Sequence, residues 1–168
     1  MGHCSRQRVG AKLVFALLGA ASRWAITRIA PTRCANLLWS DLASESAPYN
    51  CVAYGLHDTQ QWWEYGPIPV RGYYWPPGVR QDNSIESWIQ VYEIHGYRRC
   101  DNTDLEQGIE KVAFYVKDGE PQHVARQLES GVWISKLGPD EDIEHNTLEG
   151  LVGETYGKVE IIMKRLRK

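Results

Sequence analysis

The chain has 168 residues, 43% hydrophobic and 24% charged, and a formal net charge of -2 from 19 basic and 21 acidic side chains. This composition excludes a disordered, collagen-like or repeat chain, and folding at this length buries about 68–70% of the unfolded surface, enough for one core. Its basic cluster (Lys164, Arg165, Arg167, Lys168) sits at one end rather than on a face, so no nucleic-acid partner is expected.

Residues 1–47 read as a lead-in. Arg6, Arg8 and Lys12 precede an apolar run at 13–21, the outline of an export signal but too short to span a bilayer. The competing reading is a helix that continues through Trp24, Ile26 and Ile29 and docks on the core. No Ala-x-Ala cleavage site follows, which favours the docked helix and a cytoplasmic location, with export as the alternative.

The organised domain is expected from residue 48 to 168. Asn50 is placed to cap a helix running from Cys51 toward His57, weakened at Gly55. From 60 to 82 aromatic residues alternate with Pro67, Pro69, Pro76, Pro77 and Gly78, the pattern of an ordered loop. Within it Trp62, Trp63, Tyr74 and Trp75 either wall a cleft for a peptide or glycan or cap the core. A capping box at Asn83-Ser84-Ile85-Glu86 opens a second helix, with Ile85, Trp88, Ile89 and Tyr92 as its buried stripe and Gly96 as its stop. Strands follow at 112–116, 123–128 and 132–137, joined by Asp118-Gly119 and by Glu129-Ser130-Gly131. An acidic segment, a short helix at 147–151 and a last strand at 159–163 complete an α+β order.

The four cysteines, Cys4, Cys34, Cys51 and Cys100, lack zinc-site spacing, so no metal or cofactor is expected, and their scatter fits free thiols. Cys51 at a helix start is either a packing residue or a nucleophile, since thiols in such positions reach pKa values of roughly 3.5–7.5. A nucleophile needs a base. His3 lies in the tail, His57 faces away and His95 suits a helix end, which leaves His123 and His145. If Gly131 is the left-handed third residue of the hairpin loop, Gln127 faces Trp133 and Ala125 faces Ser135. His123 and Ser135 then share a sheet face, and Ser135 is preferred over His145 for orienting the ring.

The motifs Asn50-Cys51-x-Ala53, His123-x-Ala125-Arg126-Gln127, Gly131-x-Trp133-x-Ser135-Lys136-Leu137-Gly138 and Asp142-Ile143-x-His145, followed by Tyr156-Gly157, resemble a bacterial family of uncharacterised domains. That family is related to the papain-like cysteine peptidases and amidases, and the similarity covers about residues 48–165. It implies a papain-like fold, in which a helix bearing the cysteine packs on an antiparallel meander. It also implies a peptide or amide substrate, Cys51 as nucleophile, His123 as base, and Ser135, Asp142 or His145 as third member. The sequence departs from the pattern in lacking the usual Asn or Asp orienter and a glutamine before the cysteine, so Asn50 or the Cys51 amide is left to serve the oxyanion.

Overall fold

The computed structural model of the chain describes residues 37–39, 48–66 and 73–168, all within one unit, Arg33–Lys168. The signal-like run or docked helix expected in the lead-in lies outside the described residues, as does part of the aromatic stretch, 67–72. In chain order the elements are β1 (Leu37–Trp39), α1 (Cys51–Gly55), β2 (Trp62–Trp63), β3 (Tyr73–Tyr74), α2 (Ile85–Glu93) and β4 (Arg98–Cys100). There follow β5 (Ile109–Lys117), β6 (Glu120–Gln127), β7 (Trp133–Lys136), β8 (Asp142–His145), a 3-10 turn (Leu148–Leu151) and β9 (Lys158–Leu166).

Among the described residues seven strands form one antiparallel sheet in the order β1-β8-β7-β6-β5-β9-β4, while β2 and β3 pair in parallel apart from it. The result is a small α+β domain with few helices. Local chemistry sets the register. Asp118 and Gly119 both take positive φ, 54° and 81°, the tight turn that an Asp-Gly pair favours between β5 and β6. Gly131 has φ 89° and its N–H donates to Leu128 O at 3.0 Å, so Gln127 pairs with Trp133 and Ala125 with Ser135, the pairing expected from the sequence.

That register sorts the side chains. On one face Val112, Phe114, Val124 and Met163 pack with Cys51, Val52, Trp88 and Tyr92 of the two helices. On the other, Ala113, Tyr115, Ala125 and Trp133 pack with Leu148, Tyr156 and Val159.

Four features differ from the sequence expectation. The cap of α2 is Ser84, not Asn83: the Ser84 hydroxyl accepts from Ser87 N, and Asp82 accepts from both serine hydroxyls, a denser set of bonds than Asn83 offers. The aromatic loop contains the β2–β3 pair. The acidic segment is a buried strand, because Asp142 lies opposite Lys136 on β7 and accepts from Tyr49 Oη at 2.9 Å. Backbone at 37–39, expected to belong to the lead-in, extends the sheet beside β8.

Candidate functional site

The first residue of α1 is Cys51. Asn50 is extended (φ -115°, ψ -176°), its carbonyl accepts from Tyr54 N at 2.9 Å and its Oδ1 accepts from Ala53 N at 3.2 Å, the arrangement of an N-cap. Asn50 does a second job. Its Nδ2 donates to Trp63 O at 2.7 Å and its Oδ1 accepts from Trp63 N at 3.4 Å, which clamps β2 beside the cysteine.

The helix packs on β6 and β7. Burial pushes the Cys51 thiol up to about 12, against a hydrogen bond from the Val124 backbone N–H and with a further upward push from the Glu64 carboxylate. Val124 lies one residue beyond the end of the β6–β7 ladder, which begins at Ala125. At Val124 and His123, β6 has run free of β7.

His123 precedes Val124 and alternates to the opposite face, paired with Tyr115. Its ring lies 4.4 Å from that of Tyr156 and 5.7 Å from that of Tyr115. Burial first, and the charge of His145 second, hold it down at about 3. Its Nε2 has no hydrogen-bond partner among the described residues, and no hydrogen bond joins it to Cys51 there. The Tyr156 hydroxyl is pushed above its ordinary range by burial first and by the charge of Cys51 second. The Tyr156-Gly157 pair has a packing reason as well. Gly157 has φ 78°, and a Cβ there would overlap the Val116 carbonyl and lie 2.8 Å from Lys117 Cβ.

Ser135 and His145 bond to each other. His145 Nδ1 donates to Thr147 O at 2.8 Å, which leaves Nε2 to accept from Ser135 Oγ at 3.0 Å. Both nitrogens of His145 are thus engaged, and the two residues lie on the His123 face without a hydrogen bond to it among the described residues. Asp142 belongs to the helical face with Lys136 and Tyr49. The Lys136 Nζ lies 3.9 Å from Asp142 Oδ1 and 5.2 Å from the Tyr49 ring centroid, and burial holds its amine below the ordinary lysine range.

The aromatic residues divide. Trp63 is core: it packs against Tyr74 at 4.8 Å and His95 at 5.4 Å, and its Nε1 donates to Asp58 at 2.7 Å. Tyr74 and Trp75 are half-buried against that core. Trp62 faces outward and stacks on Tyr73 at 6.2 Å and 22°. Two residues near the thiol were not singled out from the sequence. Glu64 was hidden because an acid among tryptophans reads as an ordinary loop residue, and Tyr156 was visible only as part of a motif. No group of three or more His, Cys, Asp or Glu among the described residues is arranged to hold a metal, and no helix among them is long and apolar enough to cross a membrane.

Fold and site together define an α+β domain in which a helix opening at a buried cysteine packs on β6, the strand that carries a buried histidine. The chain belongs to the family described as a domain of unknown function (DUF7689), whose model matches residues 41–164. No curated protein and no solved structure matches the chain.

Proposed function

We propose that this domain is a papain-like thiol hydrolase that cleaves an amide bond, with Cys51 as nucleophile and His123 as base. The observation that carries the reading is the placement of Cys51 at the start of α1, which packs on β6, the strand where His123 lies two residues before the β6–β7 ladder begins. A free ring nitrogen supports the choice of histidine, because His123 Nε2 is unpartnered whereas His145 has both nitrogens engaged. In the resting site the proton stays on sulfur, since burial raises the thiol and lowers the imidazole.

Attack is therefore coupled to proton transfer. The thiol proton passes to His123 as sulfur bonds the carbonyl carbon. The C–N bond then breaks as the imidazolium returns its proton to the leaving amine, and water hydrolyses the thioester. The Cys51 backbone amide and the remaining Asn50 Nδ2 proton are the donors assigned to the oxyanion. Ser135 and His145 support the face on which His123 lies. Their role is one of positioning.

The rate of Cys51 alkylation by iodoacetamide, followed by peptide mass spectrometry, tests this. A neutral imidazole acting as base gives a rate nearly flat from pH 5 to 8 that falls at least tenfold in His123→Ala. A rate that instead climbs tenfold per pH unit, indifferent to His123, is that of an ordinary buried thiol and overturns the reading. It would favour a catalytically silent domain that binds a protein or glycan partner, a reading supported by the stack of Trp62 on exposed Tyr73.

A further inference from the structure

The segment that Asn50 clamps beside Cys51 carries a carboxylate. Glu64 follows Trp63, its backbone N–H donates to Tyr74 O at 3.0 Å, and strand alternation sends its side chain to the outward face with Trp62 and Tyr73 while Trp63 turns into the core. Trp62 Nε1 donates to Glu64 Oε2 at 3.4 Å. No basic side chain pairs with Glu64 among the described residues, although it is half-buried, and burial raises its carboxyl above the ordinary range. Glu64 directly follows the residue that Asn50 clamps and Asn50 directly precedes Cys51, and the Glu64 charge adds to the upward push on that thiol. A half-buried carboxylate without a cation is costly as it stands, and that cost is relieved by any cation that binds there. The faces of Trp62 and Tyr73 add the quadrupole attraction that aromatic rings offer to organic cations.

We propose that Glu64, with Trp62 and Tyr73, is a specificity-determining site that takes an ammonium or guanidinium group of the substrate near the scissile amide. This rests on the hydrolase reading for its location, but the cation site itself is a separate property. A neutral or acidic substrate leaves Glu64 desolvated and uncompensated, so selection works by rejection as well as by attraction.

Two measurements on the full chain separate the two claims. Tryptophan fluorescence is titrated with Nα-acetyl-lysinamide and Nα-acetyl-argininamide, with Nα-acetyl-norleucinamide as the neutral control. Saturable binding of the cationic probes, weakened at least tenfold in Glu64→Gln and less in Glu64→Asp, supports the site, and the ratio of the two cations tells ammonium from guanidinium preference. Equal response to the neutral probe, or no effect of Glu64→Gln in a variant whose thermal midpoint is unchanged, overturns it. In parallel, Cys51 is alkylated with cationic 2-bromoethylammonium and with anionic iodoacetate. A preference for the cationic reagent that falls at least fivefold in Glu64→Gln places the site at the thiol. Cation binding without that preference overturns its role in specificity. A pH-flat, His123-dependent alkylation without cation binding overturns the site and leaves the hydrolase reading standing. Cation binding with an ordinary thiol profile does the reverse for the hydrolase.

Discussion

A ring nitrogen that meets no partner inside a sheet face costs free energy as soon as the ring is charged. His123 is in that position, held down at about 3 by burial and then by His145, against an ordinary value of about 6.5. For a base with a depressed folded-state pKa, the stability it confers is fully present above about pH 6.5 and is lost as pH falls through that value toward 3. Unfolding free energies from urea titrations should therefore drop by about 1.4 kcal/mol per pH unit for this histidine between about pH 6 and 4, and His123→Phe, which keeps the contacts with Tyr115 and Tyr156, should flatten the profile by one proton. An identical slope in the variant would show that His123 is not held neutral. Ser135→Ala acts differently, because it strips His145 Nε2 of its donor in a fully buried place. Its expected cost is about 1–3 kcal/mol in chemical denaturation, with Ser135→Thr recovering part of it. A loss near zero would mean that water replaces the hydroxyl.

At the scale of elements, α1 is a five-residue helix that ends in glycine, and helix propensity alone says that alanine there would stabilise by about 1 kcal/mol. Packing says the opposite. A Cβ on Gly55 would overlap the Tyr92 hydroxyl and stand 3.2 Å from Val124 Cγ1, and that hydroxyl donates to Val52 O at 3.0 Å. Gly55→Ala should therefore destabilise by about 1–3 kcal/mol, read from the thermal midpoint, and pairing it with Tyr92→Phe should recover part of the loss. The same contrast explains what could be read from the sequence. Asn50 acts through a side-chain bond to its own helix, and Gly131 and Asp118-Gly119 act through their own backbones, so the cap, the hairpin register and the Ala125–Ser135 pairing were legible in the residues. The acidic strand at Asp142–His145 was not, because its burial depends on Tyr49, far away in sequence, and on a pairing with Lys136 across a hairpin that an acidic run does not announce. The relation of Cys51 to His123 falls between. Their elements could be named, but the alternation of His123 to the face opposite Val124 and its contact with Tyr156 emerge only once β6 is laid against β5.

Across the whole molecule one carboxylate gathers groups from several elements. Glu110 on β5 accepts from His57 beyond α1 at 2.6 Å, from Tyr97 at 2.5 Å, from Arg165 Nε and Nη2 on β9 at 3.1 and 2.9 Å and from Arg167 at 3.4 Å. Arg126 on β6 stands 3.6 Å away. Burial pushes this carboxyl up, but the hydrogen bonds from His57 and Tyr97, then the charges of His57 and Arg126, prevail and hold it at about 2. For an acid with a depressed folded-state pKa, the stability is present above the unfolded value of about 4.3 and is lost as pH falls through the folded value of about 2. Its acid window therefore begins below that of His123 and overlaps it only between about pH 4.3 and 3, so above about pH 4.3 the slope of stability belongs to His123 and below about pH 3 to Glu110. Glu110→Gln leaves buried guanidinium groups without their counter-charge and should cost about 3–5 kcal/mol in urea unfolding near neutral pH, while removing the slope between pH 4 and 2. Adding Arg165→Met to Glu110→Gln should return part of that loss, since the cost of the single change lies in the stranded cation more than in the missing bond. Strict additivity of the two substitutions would show that Glu110 and Arg165 stabilise the sheet independently.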